Sequence, residues 1–134
     1  MMHTYFSAGG QWHASGTYYD QHGCAYELCG LAHSSRNDHE WSLDGYMEVK
    51  RDAPVRFVNR YQIQETDSPF SYRWTSYNTG LGPLSGTFEV IGDNIISVYA
   101  SQNGEYSGTE TLIQIDEDTY HNVGVSFHNG SRMS

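Results

Sequence analysis

The sequence predicts an all-β protein, a single antiparallel up-and-down β-barrel of nine or ten strands occupying residues 1–134. Three observations carry that expectation. Fourteen glycines and nineteen aromatic side chains (eleven Tyr, five Phe and three Trp) accompany a single lysine, Lys50, and such a stock suits strands and turns better than helices. Alternating apolar and polar stretches recur every 8 to 12 residues or so, separated by clusters of Gly, Asn, Asp or Pro. The connectors are at most about five residues long, too short for the crossover a Greek key requires. Consecutive hairpins therefore form one sheet, which must curl into a barrel or fold into two layers to hide its edges.

The elements follow in order. The first eight residues permit one helical turn and nothing longer. Strands are predicted over Gln11–Tyr19, Cys24–His33, Trp41–Lys50, Val55–Glu65, Phe70–Asn78, Leu84–Ile91, Asn94–Ser101, Tyr106–Ile115 and Tyr120–His128, with a tenth beginning at Ser131. Asn103-Gly104 and Asn129-Gly130 carry the strongest hairpin signal, because both residue types tolerate positive φ. At 15.2 kDa the chain is the size of one domain with one core.

Fixed turns set the register, and register sets the faces. The connector Thr66–Pro69 places Ile63 opposite Tyr72 and Tyr61 opposite Trp74. The next turn sets Trp74 against Phe88. Phe88 then meets Ser97, and Ser97 meets Glu110. The turn Asp116–Thr119 sets Glu110 against Val125 and Gln114 against His121. One face thus gathers Phe57, Asn59, Tyr61, Tyr72, Trp74, Phe88, Ser97, Tyr99, Glu110, His121 and, near the C-terminus, Phe127 and Arg132, and Met47 joins it from an earlier strand. It is the more apolar face and is expected to point inward, whereas Ile113 and Ile115 fall outside and suggest a homodimer contact. Polar groups among inward rings cost on the order of 1–3 kcal/mol each if unsatisfied, so a lined, partly wet cavity accommodates them better than a filled core. Apolar walls with a few polar anchors are the usual make-up of a small-molecule site.

Charge narrows the partners. Sixteen acids against seven bases give −9 at pH 7, a field that repels phosphate backbones and anionic membranes. With no transmembrane span and no signal-peptide pattern at the start, a cytoplasmic location is expected. Cys24 and Cys29, five residues apart on one strand, would lie about 16 Å apart on opposite faces. That exceeds the roughly 7 Å limit for a disulfide, so both are expected reduced and buried.

The motifs that suggest chemistry are few. Gly80-Leu81-Gly82-Pro83 lacks a following helix, and Pro83 lacks an amide for phosphate, so it reads as a turn. Asn129-Gly130-Ser131 fits a glycosylation sequon but reads as a hairpin in a cytoplasmic chain. Seven histidines show no metal-ligand spacing, and no cofactor is called for. Glu110 and His121, with Tyr99 nearby, are the one candidate acid–base set, expected on adjacent inner-face strands.

Gly10-Gln11-Trp12 has the Gly-x-Trp form found at the start of the first strand of calycins, the lipocalin and fatty-acid-binding-like barrels. With its strand count and length, the chain resembles that superfamily, and Arg132 resembles the basic residue that packs across the Trp where such barrels close. The sequence lacks the signal peptide and disulfides of secreted lipocalins and the lid helices of the fatty-acid-binding group. The resemblance implies a barrel with an internal ligand site. The expected function is therefore intracellular binding of a small apolar, aromatic or lipid-like ligand, lined by Met47, Phe57, Asn59, Tyr61, Tyr72, Trp74, Phe88, Ser97, Tyr99, Glu110 and His121. The alternatives are a cofactor-independent isomerase, cyclase or lyase using Glu110 and His121, and a filled barrel serving as an interaction module.

Overall fold

A computed structural model describes residues 3–6 and 10–134. It holds ten strands: β1 (Gly10–Tyr19), β2 (Ala25–Asn37), β3 (Glu40–Lys50), β4 (Val55–Glu65), β5 (Ser71–Asn78), β6 (Gly82–Ile91), β7 (Asn94–Ser101), β8 (Tyr106–Asp116), β9 (Thr119–His128) and β10 (Ser131–Arg132). Each pairs antiparallel with its neighbour in sequence, giving one up-and-down sheet in the order β1 to β10. The described residues contain no helix. The helical turn allowed in the first eight residues falls partly outside them, and Tyr5 and Phe6 form a simple turn.

The sheet curls into a half-barrel whose backbone ladder has two ends, β1 and β10. At one end of the curl the edges approach through side chains: Trp12 of β1 and Tyr120 of β9 lie 5.6 Å apart, ring edge to ring face. Tyr5 contacts both rings, at 6.0 and 5.8 Å. An aromatic trio bridges the seam there. Arg132, expected across Trp12, is exposed and lies opposite Phe127 in the ladder.

The expected inner face is correct through most of the sheet. Val49 pairs with Val55 and Met47 with Phe57, which carries the apolar face from β3 into β4. From β6 to β8 the predicted pairs Phe88–Ser97 and Ser97–Glu110 are the observed ones. Two hairpins slide by two residues, so that Ile63 faces Trp74 and Tyr72 faces Phe88. A two-residue slide leaves every side chain on its own face. The longer loop between β4 and β5 absorbs it, held by Thr66 Oγ1, which donates to the Ser71 carbonyl (2.7 Å).

The β8–β9 hairpin departs in a way that does change faces. A β-bulge between Gln114 and Asp116 inserts one unmatched residue, Ile115, and sets Gln114 opposite Tyr120 and Glu110 opposite Gly124. A one-residue slip exchanges faces. Tyr120, Asn122 and Gly124 point inward, while His121, Val123, Val125 and Phe127 point outward. His121 therefore does not belong with Glu110, and Arg132, opposite Phe127, leaves the inner face with it.

Cys24 is exposed, which corrects the expectation of burial, and Cys29 is half-buried; both are free. The strand begins only at Ala25, and Cys24 closes the preceding turn, its amide donating to Asp20 Oδ1 at 2.9 Å. Asn129 and Gly130 both have positive φ, the geometry predicted for that turn. At Asn103-Gly104 only the glycine does. There the Asn103 side-chain oxygen Oδ1 instead accepts from the Ser101 hydroxyl and the Glu105 amide.

The core lies on the concave side, formed by Trp41, Ile63, Trp74, Leu84, Phe88, Ile95 and Leu112, with Phe6 packed in from the N-terminal segment.

Candidate functional site

Large rings can lie flat on the concave face because the same row of the sheet contains glycines. Gly86, Tyr99 and Gly108 are direct neighbours across β6, β7 and β8. A Cβ on Gly108 would run into the Tyr99 ring and hydroxyl, and one on Gly86 would press on Trp74 and Tyr99. With those positions bare, Trp74 sits 5.1 Å from Tyr61, 5.8 Å from Phe88 and 5.8 Å from Tyr99 between ring centroids. These are ordinary aromatic spacings. Trp74 is buried, and its Nε1 donates to Ser97 Oγ at 3.1 Å.

Glu110 projects from β8 into this ring cluster. Burial pushes its carboxyl pKa up, while a hydrogen bond from Asn122 on β9 opposes the shift. Tyr5, Tyr61 and Tyr99 all have phenol pKa values raised, first by burial and then by the negative charge of Glu110. One carboxyl thus sits within electrostatic reach of three phenols. All four residues retain some accessible surface. Accessible surface on groups that are nevertheless desolvated is the property of a recessed wall.

The remaining expected site residues divide. Tyr72 stacks on Phe6, 4.3 Å between centroids. Asn59 accepts a 2.5 Å hydrogen bond from Asn78, whose own Oδ1 accepts from the amides of Gly80 and Leu81. Asn59 therefore serves a turn. Met47 and Phe57, paired with each other, lie farther along β3 and β4, where the ring of Phe57 packs under Gly80. His121 is exposed on the convex face.

The N-terminal segment covers part of the concave face, where the sequence led to the expectation of a lined, partly wet cavity. His3 Nε2 donates to the Gly92 carbonyl (2.8 Å) and Nδ1 lies 2.8 Å from the Tyr120 hydroxyl. Thr4 Oγ1 donates to the Glu117 carbonyl at 2.6 Å, and Phe6 reaches the core beside Trp41, Tyr72 and Phe88. Sequence reasoning did not find this strap; the adjacent aromatics Tyr5 and Phe6 near the N-terminus were its only signal. It also missed Asn122 and Tyr120, which the bulge turns inward.

Elsewhere, two surface grooves open to solvent. One of about 480 Å³ is lined by Leu81, Pro83 and Tyr106 among others. The other, about 590 Å³, runs past Tyr46, Arg56 and Arg60 on β3 and β4. Neither contains the ring cluster. Among the described residues no helix is long and apolar enough to cross a membrane, and no three His, Cys, Asp or Glu side chains gather to hold a metal.

Compared with known proteins, the chain matches no family model, no curated protein and no solved structure.

Proposed function

We propose that the protein binds a small, mostly apolar or aromatic ligand against the concave face of its sheet. The observation that carries this reading is the cluster of Glu110 with Tyr5, Tyr61 and Tyr99. It places four ionisable groups in a desolvated yet accessible wall beside Trp74 and Phe88. A core selected only for packing replaces such groups with aliphatic ones, since burying them carries a cost. Apolar walls and a few convergent polar groups are the general make-up of ligand sites. Trp74 and Phe88 supply the wall, and Tyr61, Tyr99 and Glu110 orient the polar end.

The acid–base enzyme reading loses its imidazole with His121 on the convex face, and we assign Glu110 an orienting role. The calycin-like reading rests on Gly10-Gln11-Trp12 and the up-and-down strand order. A closed barrel of that kind would require backbone pairing across the seam that Trp12, Tyr5 and Tyr120 now bridge.

Native mass spectrometry of gently purified protein tests the proposal, paired with thermal shifts across a panel of apolar and aromatic compounds. A retained small molecule, or a stabilising compound whose effect Tyr61→Phe weakens, is the expected result. A clean apo mass combined with no thermal shift from any compound would overturn it and favour a filled half-barrel acting as an interaction module.

A further inference from the structure

The concave face is uneven in its polar chemistry, and the unevenness specifies a ligand. Several of its polar side chains are already engaged: Asn59 with Asn78, Ser97 with Trp74, and Asn122 with Glu110. Others have no protein partner. Trp41 is 4% exposed and Ser76 8%, and neither the Trp41 Nε1 nor the Ser76 hydroxyl makes a hydrogen bond. Ser76 stands directly opposite Tyr61 in the ladder, and Trp41 is one row along, opposite Ile63. No hydrogen bond among the described residues uses the hydroxyl of Tyr61 or Tyr99. An indole N–H can only donate. The neutral phenols of Tyr61 and Tyr99 can donate as well as accept. A buried unsatisfied group costs on the order of 1–3 kcal/mol, so the Trp41 Nε1 and the Ser76 hydroxyl mark a place where a ligand group or water completes them.

The second feature is charge. Register assigns the concave positions of β3 through β9, and none of them is Lys or Arg. Arg36 shares the face from β2 but sits at the rim, over the Trp41 ring at 4.6 Å and 3.4 Å from Glu65. The charged group inside the ring cluster is Glu110. Within the cluster of Trp74, Tyr61 and Tyr99 a ligand carboxylate would meet no cation and one carboxyl of its own kind.

Resting on the reading above, we infer that the concave site takes a neutral ligand with a hydrogen-bond acceptor, a carbonyl on an apolar or aromatic body, and discriminates against carboxylates. Of the donors Trp41, Ser76, Tyr61 and Tyr99, the two nearest the bound carbonyl supply its hydrogen bonds, and Glu110 excludes the acid. Fatty-acid-like anions are thereby excluded.

The test compares two probes with one ring system, methyl naphthyl ketone and naphthoate, titrated calorimetrically into the full-length protein at neutral pH. The ketone is expected to bind at least about tenfold more tightly, since uncompensated like charge in a desolvated site costs more than the 1.4 kcal/mol that tenfold represents. Glu110→Gln should narrow the gap by strengthening naphthoate, and Tyr61→Phe should weaken the ketone by about fivefold, the loss of one donor. Tyr61→Phe keeps the ring and its packing, so it remains informative if the Glu110 variant fails to fold. Naphthoate binding as tightly as the ketone would overturn the selectivity and leave the concave site standing. Binding of neither probe would overturn both.

Discussion

At the scale of single residues, Glu110 is the group whose chemistry most depends on its surroundings. Its pKa is raised by burial, so the ionised carboxylate costs more in the folded protein than in the unfolded chain. The stability this contributes is complete below the ordinary carboxyl value of 4.5 and is lost as pH rises through the higher folded value. Glutamine cannot ionise and keeps the hydrogen bond with Asn122. Glu110→Gln should therefore be more stable than the parent in urea unfolding at pH 7, and the difference should vanish near pH 4. An equal effect at both pH values would mean that the carboxyl is not desolvated. Glu110 and Tyr99 were legible as inward residues because β6, β7 and β8 are joined by turns whose lengths the sequence fixes. His121 was misplaced because Asp116-Glu117-Asp118-Thr119 fits a plain connector and a bulged one equally well. Nothing in the letters shows which residue will be left unpaired.

At the scale of elements, the bulge is what turns Tyr120 inward, and Tyr120 is what holds the N-terminal strap. Its hydroxyl receives the amides of Thr4 and Tyr5 (3.1 and 3.3 Å) and lies beside His3. Deleting the unmatched Ile115 should leave a regular hairpin with the same residues inside, and the protein should still melt cooperatively by circular dichroism. Deleting the buried Leu112 reverses the faces of the strand beyond it and should abolish that transition. Loss of folding in both would show that the bulge itself is required. For the strap, Phe6→Ala removes a buried ring stacked on Tyr72. A loss of about 3 kcal/mol in denaturant unfolding is expected, the low end for a buried Phe because the strap can partly reseat. A loss under about 0.5 kcal/mol, the range of surface changes, would mean that the strap does not occupy the core in solution. Strand positions were legible almost to the residue because alternation and turn residues coincide. The strap was not, because so short a segment has no periodicity to read.

At the scale of the whole molecule, the sheet is asymmetric. Its concave side concentrates the rings and the donors without partners, while the convex side of β7 to β9 exposes Val98, Ile113, Ile115 and Val123, as the outward reading of Ile113 and Ile115 anticipated. The curl follows from strand number and twist, and a long open sheet with an apolar face must wrap that face around something. What it wraps here is partly its own N-terminus and partly the acid–phenol cluster. The up-and-down order and most of the concave-face residues were legible in the sequence. The bridging of the seam was not, because that depends on which side chains of β1 and β9 meet once the bulge has set the phase.

The central claim is that the concave cluster, and no other surface, receives the ligand. Nuclear magnetic resonance of ring-labelled tyrosines, recorded while the naphthyl ketone is added, tests it most directly. Tyr61 and Tyr99, with Tyr5 of the strap, should shift and saturate together, while Tyr19 and Tyr77, half or more exposed, should stay in place. Saturable shifts at Tyr19 or Tyr77 with the inner three unmoved would contradict the account.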